Sequence, residues 1–212
     1  MPTSITAAVH RYTAGVPALL PDRGPSAMTF LDTDTTHYTD ALYLACSEWP
    51  GLPGAAAVSG LLTVRNIGNL VPTDPAEGSV DAALDHAINH LQVRTIVVCG
   101  HSGCGAMASL LSVSIDTPTS PVSCWLDYAR DALVAFDEFH LARVGAAANG
   151  FSQADQLAVV NVVIQVERLA RHPILAGAIV SGRLRIAGTF YNAQTGRVHE
   201  VTASGIPIPG AR

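Results

Sequence analysis

The sequence predicts a single α/β domain built on a mostly parallel β-sheet flanked by helices, with one antiparallel edge strand. Three observations carry this expectation. The runs Ala41 to Ala45, Leu61 to Val64 and Thr95 to Cys99 are short and nearly continuously apolar, as strands buried on both faces are. Segments with helical spacing separate or follow them, and that alternation requires crossover connections between parallel strands. Near the end, residues 183 to 190 and Arg197 to Val201 flank a turn through Asn192 to Gly196, the pattern of a closing hairpin.

Taken in order, residues 1 to 36 mix Pro, Gly, Thr and Asp without a sustained period and read as an N-terminal arm. Residues 37 to 212 form the domain, since no linker divides a length that can bury one sizeable core. The first strand ends at Cys46 and the second at Arg65-Asn66, with a Pro/Gly/Ala-rich connection between them. Ser79 is placed to cap a helix over Val80 to Leu91, in which Ala83, Leu84, Ala87, Ile88 and Leu91 follow the helical period. The third strand runs directly into Gly100-His101-Ser102-Gly103-Cys104-Gly105. Pro121 starts a helix carrying Trp125, Ala129, Leu133 and Phe136 on one face, and a further helix spans Ser152 to Ala170, ended by Arg171-His172-Pro173.

Composition excludes several classes of function. The chain has 49% apolar and 14% charged residues, too few charges to cover a monomer comfortably, so a homodimer or higher even homo-oligomer is expected. No apolar run reaches the length of a membrane span, and the first residues lack the basic start and apolar stretch of a secretion signal, so the expected location is the cytoplasm. All twelve basic residues are Arg, spread singly along a chain of net charge -5, which argues against a nucleic-acid groove.

Four cysteines, at 46, 99, 104 and 124, are too few and too unevenly spaced for a disulfide framework. Metal binding is the sharper reading. Cys46 ends the first strand while His101 and Cys104 follow the third, and in open α/β sheets ligand sites collect at those strand ends. A His-x-x-Cys pair on a Gly-flanked turn together with a distant Cys gives zinc an S, N, S set with a fourth position left over. Cys99, on a buried strand, reads as a small core residue, and Cys124 as inert. His86, His90, His140, His172 and His199 have no companion ligand at useful spacing and read as surface or capping residues.

The segments Leu44-Ala45-Cys46-Ser47, Val64-Arg65-Asn66-Ile67-Gly68-Asn69, Val98-Cys99-Gly100-His101-Ser102-Gly103-Cys104-Gly105-Ala106-Met107, Asn161 to Val166 and Gly188 to Gly196 resemble, in order and spacing, the β-class carbonic anhydrases. The resemblance runs from about Ala41 to Val201. It implies zinc-dependent hydration of carbon dioxide to bicarbonate, with one Zn2+ per chain on Cys46, His101 and Cys104. In that family an Asp two residues after the first Cys, held by an Arg two residues further on, orients the attacking water. Here Glu48 and Pro50 stand at those positions. Glu48 is therefore expected as the active-site carboxylate, either reaching the ion as a fourth ligand or lying within one water of it, with weak activity. The same departure leaves two alternatives, a zinc hydrolase acting on carbon disulfide or carbonyl sulfide and a non-catalytic zinc-closed homologue. Arg65 is expected to brace the turn beside the site, and Tyr191 to pack on the hairpin or pair with Arg65.

Overall fold

A computed structural model describes residues 41–49, 61–112 and 120–207. The N-terminal arm and Pro50 lie outside the described residues. Five strands form one sheet: β1 (Ala41–Cys46), β2 (Leu61–Asn66), β3 (Thr95–His101), β4 (Arg185–Asn192) and β5 (Arg197–Val201), in the order β2-β1-β3-β4-β5. The pairs β1/β2, β1/β3 and β3/β4 are parallel and β4/β5 is antiparallel, as the alternation of strands and helices predicts. The chain leaves β1 towards one side to make β2 and returns on the other side to make β3. Neighbours β1 and β3 thus flank a topological switch point, where a crevice opens beyond the carboxyl ends of the strands.

The strand period of two divides the sheet into two faces. Leu42, Leu44 and Cys46 of β1 and Ile96 and Val98 of β3 join the large cluster that holds the buried apolar residues of the helices. Tyr43, Ala45, Val97 and Cys99 point the other way, into a smaller cluster completed by Ala41 and Trp49, with Tyr191 and Val198 packed against it. Cys99 is fully buried there, and burial pushes its thiol up to about 11, so it behaves as the small core residue expected from the sequence.

The helices are α1 (Ser79–Asp85), α2 (Gly105–Ser112), α3 (Pro121–Leu126), α4 (Arg130–Asp137), α5 (Leu141–Ala148), α6 (Gln153–Ala170) and α7 (Ala176–Val180). Three details correct the sequence reading. Ser79 does not cap α1: its hydroxyl donates to Glu77 at 2.9 Å and the helix starts from Gly78 without a side-chain cap. Beyond Asp85 the helix widens into a π-helical turn, His86–His90, which aims Ala87 and Ile88 inward. The segment from Pro121 is broken by a 3-10 turn at Asp127–Ala129, so Trp125 and Phe136 belong to separate helices.

Helix α6 lies directly on β3 and β4 and positions most of the site. Ser152 caps it, accepting from the Asp155 N–H, and the helix ends at Ala170, just before the Arg171-His172-Pro173 stop. Close approach to the sheet is possible because the strands present glycines. A Cβ at Gly100 would stand 2.7 Å from Val162 Cγ2, and one at Gly188 would stand 2.8 Å from Val162 Cγ1 and 2.9 Å from the Val201 carbonyl oxygen. The Val201 backbone cannot yield easily. Gly188→Ala is therefore expected to lower stability by about 1–3 kcal/mol through overpacking, read as a lower midpoint in urea denaturation; an unchanged midpoint would show that α6 can lift from the sheet at no cost.

Candidate metal centre

Cys46 is the last residue of β1 and His101 the last of β3, so two neighbouring parallel strands deliver them to the same end of the sheet. Cys104 follows after a tight turn in which Gly103 adopts φ 69, and α2 begins at the next residue. One potential ligand atom each from Cys46, Glu48, His101 and Cys104 lies within 4.8 Å of every other. Among the described residues this is the one such group of three or more. The three expected ligands are buried, whereas Glu48 is exposed.

The donor set fits zinc on two independent observations. The Cys46 and Cys104 sulfurs are 3.9 Å apart, and two thiolates on a tetrahedral zinc at about 2.3 Å stand about 3.8 Å from one another. His101 Nδ1 lies 3.0 Å from the Ser102 carbonyl oxygen, which makes Nδ1 the protonated nitrogen and leaves a lone pair on Nε2. Nε2 is buried and has no hydrogen-bond partner among the described residues. A buried acceptor without a donor costs free energy, and a metal ion satisfies it.

The electrostatics of the pair agree. A hydrogen bond from Cys104 holds the Cys46 thiol well below its usual range, at about 4, against burial and with help from His101 and the Gly68 and Glu48 N–H groups. Cys104 is pushed upward by that same bond, by burial and by the Cys46 charge. Burial opposes charge on His101, but the Cys46 sulfur, the Ser102 carbonyl and the Glu48 carboxylate outweigh it and raise the imidazole.

The surrounding groups anchor the three expected ligands. Gly68 N–H donates to Cys46 Sγ at 3.3 Å, and Asp155 of α6 accepts from Gly103 N–H at 2.8 Å, within the turn between His101 and Cys104. Ser102 N–H donates to the Tyr191 carbonyl oxygen and its hydroxyl accepts from Ala193 N–H, which ties the same turn to β4. Arg65 donates to the carbonyl oxygens of Cys46, Ser47 and Trp49, so it braces the turn as expected. Tyr191 packs against Trp49, ring centroids 5.8 Å apart, and makes no hydrogen bond to Arg65 among the described residues. Of the five other histidines among the described residues, His140 caps α5 through Nδ1 and His172 pairs with Asp81 at 3.1 Å; neither reaches the centre.

Glu48 is where geometry adds most to the sequence reading. Its carboxylate is not unpaired: Oε2 accepts from Gly105 N–H at 2.6 Å, at the start of α2. A free N–H in the first turn of a helix is a favourable partner for a negative charge. A Cβ on Gly105 would stand 2.7 Å from Oε1 and 3.0 Å from Oε2, so the glycine leaves room for the carboxylate in this seat. Reasoning from sequence missed Gly105, Gly68 and Asp155. Gly105 could have been found from its place beside Cys104, whereas Asp155 and the Gly68 N–H carry no local signal.

A family model described as carbonic anhydrase matches residues 54–198, a stretch that contains His101 and Cys104 and begins after Cys46 and Glu48. The chain is 35% identical over 173 residues to a carbonic anhydrase of Pseudomonas aeruginosa, covering 80% of this chain and 76% of that protein. It is similar to a Coccomyxa β-carbonic anhydrase solved in complex with acetazolamide (TM-score 0.63, 26% identity, 78% of this chain and 72% of that one). It also shares the fold of a tetrameric β-carbonic anhydrase from Sordaria macrospora (TM-score 0.64, 24% identity, 78% of this chain and 81% of that one).

The thiol pair predicts a pH signature in protein stripped of metal by a chelator. Cys46 is shifted below its ordinary 9.0, so its contribution to stability is full above that value and is lost as pH falls towards about 4. Cys104 is shifted above its ordinary 9.0, so its contribution is full below that value and is lost as pH rises beyond it. Relative to a Cys46→Ser/Cys104→Ser double variant, the wild-type urea midpoint should therefore climb from about pH 4 to pH 9.0 and decline above. A difference that does not vary with pH would show that the two sulfurs do not share a proton.

Proposed function

The chain belongs to the β-carbonic anhydrase family, and from that premise we propose that it catalyses the reversible hydration of carbon dioxide to bicarbonate on one zinc ion held by Cys46, His101 and Cys104. The observation that carries the reading is the buried S, N, S set, with sulfurs 3.9 Å apart and an unpartnered imidazole nitrogen beside them. A zinc ion there would act as a Lewis acid and lower the pKa of water from about 15.7 towards about 7, making water nucleophilic near neutral pH.

The protein's own groups divide the remaining tasks. Gly68 N–H withdraws charge from the Cys46 sulfur, which offsets the electron donation of two thiolates. Glu48 keeps Oε2 on Gly105 N–H, and its carboxylate would be the group that accepts a proton from the attacking water. One backbone N–H stands in for the arginine of the family pattern. A single donor restrains a carboxylate less firmly than a bidentate guanidinium, so hydration should be slower than with an arginine-held aspartate.

A second reading has its own observation. Glu48 lies within 4.8 Å of the other three groups, near enough that a carboxylate released from Gly105 could become a fourth ligand and close the site. Gly105→Ala, whose Cβ displaces the carboxylate from its present seat, should release it towards the ion and give a slower enzyme that retains its zinc; unchanged hydration would show that the Gly105 seat is not used in turnover. Glu48→Gln separates the readings, since faster hydration in that variant would favour a closed wild-type site. Glu48→Gln should lower turnover by roughly 100-fold or more if the carboxylate takes the proton, read by stopped-flow carbon dioxide hydration.

The assembly, location and N-terminal arm are part of the same proposal. The tetrameric Sordaria relative and the exposed side chains of Phe139, Leu141 and Val180 support an even homo-oligomer. No described helix is long and apolar enough to cross a membrane, which accords with a cytoplasmic location. Residues 1 to 36 are proposed as an arm packed over a partner subunit. Light scattering should give a multiple of the 22.1 kDa chain mass; a stable monomer at micromolar concentration would contradict the assembly.

A further inference from the structure

The segment after β2 holds its shape through hydrogen bonds from outside itself. Gly68 and Asn69 both have positive φ, 80 and 46, and the turn packs under Met107 and Ala106 of α2. Asn66 closes it through Leu70 N–H and Leu70 C=O, each at 2.8 Å. From α6, Asn161 Nδ2 donates to the Gly68 carbonyl oxygen at 2.9 Å and Gln165 Oε1 accepts from Val71 N–H at 2.9 Å. Arg168 of the same helix donates to the Val71 carbonyl oxygen at 3.0 Å. A further bond lands on a particular peptide unit.

Trp125 Nε1 of α3 donates to the Ile67 carbonyl oxygen at 2.7 Å. That oxygen belongs to the same peptide unit as Gly68 N–H, which donates to Cys46 Sγ at 3.3 Å. The groups therefore form one chain: indole N–H to peptide C=O, and the N–H of that peptide to sulfur. A donor on a carbonyl oxygen polarises the amide and strengthens its N–H as a donor. Partners one step removed from a metal tune the ligand they touch.

We propose that Trp125 is a positioning residue of the metal centre, polarising the Ile67–Gly68 peptide so that its N–H draws charge from the Cys46 sulfur. The inference rests on Cys46 being a metal ligand. Trp125 acts without touching metal or substrate. Because Asn66, Asn161 and Gln165 secure the turn independently, replacing the indole by a ring of similar shape should leave the turn in place and remove only the polarisation.

The test uses the full chain loaded with cobalt, whose sulfur-to-metal charge-transfer band reports how electron-rich the thiolates are. Trp125→Phe should move the band to lower energy, because Cys46 then retains more charge. Tyr128→Phe alters the residue packed edge-on against the same indole, ring centroids 5.4 Å apart, and should leave the band in place. A wild-type band with no shift in Trp125→Phe overturns the relay and leaves the ligand assignment standing. No charge-transfer band in the wild type removes both. Should Trp125→Phe fail to fold, NMR of the wild type decides: loading with cadmium should move the Trp125 indole proton resonance, and an unmoved resonance overturns the proposal.

Discussion

The register between β1 and β3 is the constraint on which the site depends. Ala45 pairs with Cys99, so the two strands end within a residue or two of one another and deliver Cys46 and His101 side by side. A slip of one residue would turn Cys46 to the opposite face and exchange Leu42 and Leu44 for Tyr43 and Ala45 in the main core. The register is protected because both faces are buried: each alternative would put every side chain of β1 into the wrong cluster. Burial of strands far from any chemistry is thus what places the sulfur and the imidazole.

Helix α6 carries the second level of control. It is seated close to β3 and β4 by two glycines that meet one residue, Val162, and from that seat it reaches both halves of the centre. Its Asp155 holds the turn between His101 and Cys104, and its Asn161 and Gln165 hold the turn that supplies Gly68 N–H to Cys46. Asn161 and Gln165 are completely buried, bonded to each other at 2.9 Å, and use their remaining polar atoms on backbone. A satisfied polar pair of this kind contributes orientation where apolar packing would leave the turn free to slide.

Much of this was legible in the sequence, and the parts that were not share a physical cause. Apolar runs located β1, β2 and β3, and the alternating hairpin pattern located β4 and β5; β1 and β3 are buried on both faces, whereas the edge strands β2 and β5 are only partly buried. The Ser152 cap and the Arg171-His172-Pro173 stop defined α6 at both ends. The grouping of Cys46, His101 and Cys104 was readable because soft ligand types at strand ends are unusual. The break at Asp127–Ala129 and the π-turn at His86–His90 were not, since each preserves apolar residues at nearly helical spacing. Nor was the partner of Glu48: an arginine missing at position 50 is visible in sequence, but the Gly105 backbone N–H that bonds the carboxylate has no letter of its own.

The central claim is that two strand ends and one turn create a zinc site of two sulfurs and one nitrogen, with Glu48 kept back on the start of α2. X-ray absorption at the zinc edge, at neutral pH, reads that ligand set directly. The account predicts two sulfur neighbours and one imidazole nitrogen, with a fourth light atom that persists in a Glu48→Gln variant. A shell with fewer than two sulfurs, or a fourth neighbour that disappears when Glu48 is replaced, would contradict it.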